Sequence, residues 1–179
     1  MGNIVMSLAM SLDGYILDDA GRFDWIVGDG SNHLDTSEAQ RFSFDAFLES
    51  IDTVVMGRKS YDLHGQDFPN HQVWVATHRA LPEDTPPHVT PVRGDVVGAV
   101  LATKGSTSKD IWLFGGAELI APFVAQKAID RYIVGIIPVL LGSGKALFTP
   151  GFLKQRLQLE AMSVEEGIVV LQYTPRGEK

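Results

Sequence analysis

The run Ile111-Trp112-Leu113-Phe114-Gly115-Gly116-Ala117-Glu118-Leu119 joins an apolar segment of strand length, a glycine pair and a segment with helical spacing. It reads as a strand entering a helix through a glycine hinge. Gly115 and Gly116 can take backbone angles that other residues avoid, and without side chains they let a ligand approach the main chain. The N–H groups opening the following helix then face that ligand, and with the helix dipole they favour a phosphate or pyrophosphate. A plain strand-to-helix turn with a flexible joint is the other reading of such a pair.

The surrounding composition narrows the choice. A chain of 179 residues with 45% hydrophobic and 21% charged residues fits one globular domain, spanning residues 1–179, with a sizeable core. A net charge of −7 argues against a nucleic-acid partner, while a local basic pocket for one phosphate stays allowed. There is no cysteine, which excludes disulfides, a thiolate metal site and a cysteine nucleophile; no metal is expected. The start Met1-Gly2-Asn3-Ile4-Val5-Met6 lacks a charged n-region, and no apolar run has spanning length, so a cytoplasmic protein without a membrane partner is expected.

Residues 4–10 read as a buried first strand, ending in Ser11-Leu12-Asp13-Gly14-Tyr15-Ile16 with a turn at Asp13-Gly14. Residues 18–36 form a long polar segment around Trp25, either a lid over a site or a loop with one core anchor. Thr36-Ser37-Glu38 offers a cap for a helix whose apolar face is Phe42, Phe44, Phe47, Leu48 and Ile51. Asp45 lies within that aromatic cluster, on its solvated face or turned into a pocket.

The strand over residues 52–56 runs into Gly57-Arg58-Lys59-Ser60-Tyr61, a second glycine hinge carrying two cations and a hydroxyl. Such a group suits phosphate, through a forked guanidinium and a point-charge ammonium. A third strand, residues 73–77, ends in Thr77-His78-Arg79, which repeats the chemistry. A short strand at 89–92, a helix capped by Asp95, a helix from Leu119 to about residue 126 and a β-branched strand at 130–139 follow. The last two strands alternate around Glu165-Glu166-Gly167 as a hairpin. Strands alternating with helices give an α/β sheet, largely parallel, in which ligands bind beyond the carboxyl ends of strands. Gly57-Arg58, Thr77-His78-Arg79 and Gly115-Gly116 all fall at that position, so a dinucleotide with an extra phosphate is the favoured ligand. No Gly-x-Gly-x-x-Gly is present, which disfavours a Rossmann dehydrogenase.

Four segments in this order, 11–16, Val55-Met56-Gly57-Arg58-Lys59-Ser60-Tyr61, Phe114-Gly115-Gly116-Ala117-Glu118-Leu119 and Pro138-Val139-Leu140-Leu141-Gly142-Ser143-Gly144, resemble the dihydrofolate reductase-like superfamily. The resemblance is closest to the branch holding the reductase domain of the bifunctional riboflavin-biosynthesis protein. It implies a three-layer αβα fold with a mixed, mainly parallel sheet and a C-terminal antiparallel hairpin, and NADPH as hydride donor. It places the adenosine ribose phosphate on Arg58, Lys59, Thr77, His78 and Arg79, with Gly57 and Ser60 in the turn. The pyrophosphate falls to Gly115, Gly116, Ala117, Glu118 and Leu119, with Phe114 before them.

Ser7 and Phe114 stand where that branch carries a lysine and a glutamate, which weighs against a phosphoribityl substrate. The deaminase half with its Cys and His zinc ligands is absent from this sequence. Folate reductases place a carboxylate on the first helix; the ungapped match is Arg41, and Asp45 is the acid that a small shift brings in, with Glu38 another. The expectation is therefore an NADPH-dependent oxidoreductase of a small heterocyclic or imine-like substrate, with Asp45 as candidate acid and Asp13 and Trp25 on the substrate side. An NADPH-binding module without turnover and a true folate reductase are the alternatives. A homodimer is expected from the resembling branch, with residues 133–141 offering an apolar surface.

Overall fold

The computed structural model describes residues 2–177. Strand β1 (Ile4–Ser11) and the short β2 (Tyr15–Leu17) precede the long loop. Helix α1 (Phe44–Ser50) leads without a break into β3 (Ile51–Gly57), followed by α2 (Arg58–His64), β4 (Gln72–Ala76) and β5 (Val89–Val92). Then come α3 (Val96–Lys104), β6 (Asp110–Gly115), α4 (Ala117–Ala125) and β7 (Arg131–Ile137). The two-residue β8 (Lys145–Ala146) and the hairpin β9 (Leu157–Glu165) and β10 (Ile168–Pro175) complete the order.

Eight strands form one sheet in the order β5-β4-β3-β6-β1-β7-β10-β9. Those from β5 to β7 are parallel, and the terminal hairpin joins β7 antiparallel through β10. Side chains of a strand alternate between faces, so a strand buried on both is apolar throughout. In β1, Ile4 and Met6 pack with Val100, Ile120 and Phe123 on the α3/α4 side, whereas Val5 packs with Phe47, Phe68 and Trp112 on the side of α1 and α2. The sheet is thus the middle of three layers.

Three sequence expectations change. The first helix does not begin at Ser37; residues 38–40 make one 3-10 turn, and α1 starts later with the Ser43 side chain accepting from Ala46 N. Arg41 decides this, because its guanidinium reaches Asp35 at 3.0 Å and Glu165 at 2.7 Å and holds the preceding segment in loop form against the hairpin. The Arg58-Lys59-Ser60 turn is instead the first turn of α2. Finally, β7 lies inside the sheet between β1 and β10, with Ile133 buried, so the expected interface over residues 133–141 has no exposed strand to form on.

Candidate functional site

After β1 the chain skips a place, winds outward through β3, β4 and β5, and returns to insert β6 between β3 and β1. The crevice at such a reversal, beyond the carboxyl ends of parallel strands, is where open α/β sheets bind ligands. The register brings the three turns together there. Gly57 pairs with Ala76, the residue before Thr77, and Met56 pairs with Gly115. A Cβ built on Gly57 would lie 3.9 Å from Gly115 O, and Ser60 Oγ donates to the same oxygen at 3.4 Å.

Gly115 has φ +122°, a backbone state that side chains disfavour, and its peptide bond to Gly116 is cis. A Cβ at Gly115 would meet Leu8 at 3.3 Å, whereas at Gly116 it would meet nothing within 4 Å. Open space therefore lies against the main chain at the start of α4, a helix whose N-terminus no side chain caps. Ala117 and Leu119 turn their side chains into the core, so these two present backbone alone to the rim. Glu118 projects outward and accepts from Lys145 Nζ at 2.7 Å; that bond, then the charges of Lys145 and Lys59, hold its carboxyl below the usual range.

Cations line the other side. Arg58 is fixed by Asp62 at 2.7 Å and by Ala80 O at 2.9 Å, which ties α2 to the turn after β4. Thr77, itself buried, accepts from Arg79 N at 3.1 Å and donates to Arg79 O, shaping the turn that leaves the side chains of His78 and Arg79 exposed. Lys59 is exposed as well.

The expected substrate-side residues are differently placed. Asp13 closes the junction between β1 and the loop after β7, accepting from Ser11 Oγ at 2.6 Å, Gly142 N at 2.7 Å and Leu141 N at 3.1 Å. The Ser11 hydroxyl, followed by those two N–H groups, holds its carboxyl below the usual range against the opposing effect of desolvation. Trp25 is half-buried, its indole donating to Arg22 O at 3.1 Å within the loop. Asp45 is exposed in the first turn of α1 and makes no hydrogen bond or ion pair among the described residues, while its neighbours Phe44 and Phe47 pack on Trp112.

Sequence reasoning missed the aromatic wall beside the crevice. Phe114 stacks edge-on with Trp112 and Phe68 and lies 5.3 Å from the His64 ring, which in turn lies 5.6 Å from Phe23. The pairing of His64 with Asp67 three residues later was the available signal. Ala9 and Gly135 face each other across β1 and β7 and are only half-buried although both strands are internal. The hollow of about 720 Å³ lined by Lys127, Lys154, Arg156 and Arg176 belongs to the opposite edge, where β7 begins and β10 ends.

A mixed, mainly parallel α/β sheet between two helical layers, with an antiparallel C-terminal hairpin, is the dihydrofolate reductase-like fold. The chain belongs to the RibD C-terminal domain family, whose match covers residues 67–173. It is 31% identical to the uncharacterized protein YyaP of Bacillus subtilis (strain 168), over 97% of this chain and 95% of that one. Among solved structures, a Shewanella sp. PV-4 protein whose name assigns it to riboflavin biosynthesis superposes with a TM-score of 0.80 at 26% identity, covering 99% of this chain and all of that one. A Thermotoga maritima protein named diaminohydroxyphosphoribosylaminopyrimidine deaminase/5-amino-6-(5-phosphoribosylamino)uracil reductase superposes with a TM-score of 0.68. It covers 98% of this chain and 57% of its own, and at 17% identity it speaks for the fold alone.

Proposed function

We propose that this chain is an NADPH-dependent reductase of a small heterocyclic or imine-like substrate. One observation carries the reading: the β3, β4 and β6 turns meet on one edge, in the register Gly57 to Ala76 and Met56 to Gly115. The residues fit the cofactor. Gly116 leaves room against an uncapped helix start for a pyrophosphate, and Arg58, Lys59 and Arg79 with Thr77 and His78 would hold the ribose phosphate. Bound there, NADPH would supply the hydride. The chain's own contribution is positioning and shielding. Asp13 would fix the floor near the end of β1, and the Trp25 loop would cover the substrate. Phe114, in an aromatic setting, favours an uncharged planar group over a phosphoribityl chain.

The reading includes a homodimer. Leu157, Leu159 and Met162 are exposed on the edge strand β9, and their partners Pro175, Tyr173 and Leu171 put them on one face, because the bulge at Gln172/Tyr173 absorbs the odd spacing. A second copy would cover that face.

Titration with NADPH and NADH tests the cofactor assignment. A forked guanidinium on a phosphate is worth about 1.5–3 kcal/mol, so Arg79→Ala should cost NADPH roughly 10- to 100-fold in affinity and leave NADH nearly unchanged. Equal losses for both, or no binding of either by the parent protein, would remove it. Binding without consumption against pterins, pyrimidinones and imines would favour a module that has lost turnover.

A further inference from the structure

His64 ends α2, and its ring sits between the long loop and the aromatic wall, against Phe23 on one side and Phe114 on the other. Phe114 immediately precedes the glycine pair proposed to hold the cofactor, so on that reading this imidazole borders the proposed site. Its Nδ1 is 3.0 Å from Oδ2 of Asp67. An ionised carboxylate can only accept, so Nδ1 carries a hydrogen and Nε2 is the nitrogen left to exchange a proton. Among the described residues Nε2 has no hydrogen-bond partner, and the side chain is 29% exposed, open enough to regain a proton from water.

Few other charges bear on it. Asp67 is the group in contact; Phe23 is flanked by Arg22 and Asp24, of which Arg22 is bonded to Asp18. On α2, Asp62 is bonded to Arg58, and β6 contributes the uncharged Phe114.

We propose that His64 donates the proton that completes reduction of a C=N bond at this site, with Asp67 as its positioning residue. The proposal rests on the reductase reading above. The imine carbon accepts a hydride with both electrons of the donor C–H bond, and a C–H bond forms. The imidazolium, with a hydrogen on each nitrogen, gives its Nε2 proton to the C=N π pair, so the product is an amine, the nicotinamide ends oxidised, and the neutral Nδ1–H imidazole that remains regains its second proton from water.

The test compares two probes, the cyclic imine pyrroline and its N-methylpyrrolinium salt, above the imine's own pKa. The first needs a hydride and a proton, the second a hydride alone. His64→Gln should slow NADPH consumption with pyrroline by roughly 10²- to 10⁴-fold and change that with N-methylpyrrolinium by less than about threefold. NADPH affinity, followed by fluorescence, should hold. Nitrogen NMR of the imidazole should show the Nδ1–H tautomer in the parent protein and its loss in Asp67→Asn, a readout independent of turnover. Equal loss with both probes, no loss with pyrroline, or an Nε2–H tautomer in the parent would overturn the assignment to His64 while leaving the reductase standing. A parent protein that binds NADPH yet consumes it with neither probe would overturn the imine-reductase reading, and this proposal with it.

Discussion

Gly115 and Gly116 are adjacent, yet they are glycines for different reasons. At Gly115 the backbone is left-handed and Leu8 sits 3.3 Å from the missing Cβ, so Gly115→Ala should destabilise the fold by about 1–3 kcal/mol in urea unfolding. At Gly116 φ is −79° and the space is open, so Gly116→Ala should stay within about 0.5 kcal/mol of the parent. That substitution should nevertheless weaken NADPH, because the methyl group enters the space proposed for the pyrophosphate. Asp13 yields a pH prediction. Its carboxyl is held below the ordinary 3.8, chiefly by the Ser11 hydroxyl and also by the N–H groups of Gly142 and Leu141. The unfolded chain therefore binds that proton more readily. The contribution is in full force above 3.8 and is lost as the pH falls through the lower folded value. Acid unfolding should show a less steep loss of stability in Asp13→Asn than in the parent, and identical slopes would refute the role. At this scale the sequence showed which residue types were present but not what they bond to. The Asp13 carboxylate is satisfied by a turn more than a hundred residues away, and Phe23 and Phe114 approach His64 only in the folded chain.

Most elements were legible because local and global preferences agree. The Asp95 cap, the β-branched run of β7 and the alternating hairpin around Gly167 need no distant partner to be read. The start of α1 was not legible, since both Ser37 and Ser43 are competent caps, and long-range bonds from Arg41 to Glu165 and from Phe42 N to Ser163 Oγ choose between them. Among the described residues the short β2 and β8 pair only with each other, and they have too few residues to show a period. The edge strand β9 carries its own prediction. Leu159 is 47% and Met162 54% exposed, which a second copy would cover. Light scattering at micromolar concentration should give twice the 19.5 kDa chain mass, and Leu159→Lys should return the monomer. A monomeric parent protein would remove the dimer.

Across the whole molecule, the decisive step is topological. The turns after residues 57 and 76 are neighbours through the pairing of β3 with β4, and the turn after residue 115, far from both in the chain, joins them because β6 inserts between β3 and β1. The sequence identified each turn as a strand end rich in glycine or cations, and the strand order makes them one rim. The aromatic wall was less legible, because Phe23, His64, Phe68, Trp112 and Phe114 come from separate parts of the chain and no short motif signals their contact. No helix among the described residues is long and apolar enough to cross a membrane. A crystal structure of the chain soaked with NADPH tests the central claim most directly. The account predicts the pyrophosphate against Gly116 and the start of α4, with the ribose phosphate on Arg58, Lys59 and Arg79; an empty rim, or the cofactor bound elsewhere, would contradict it.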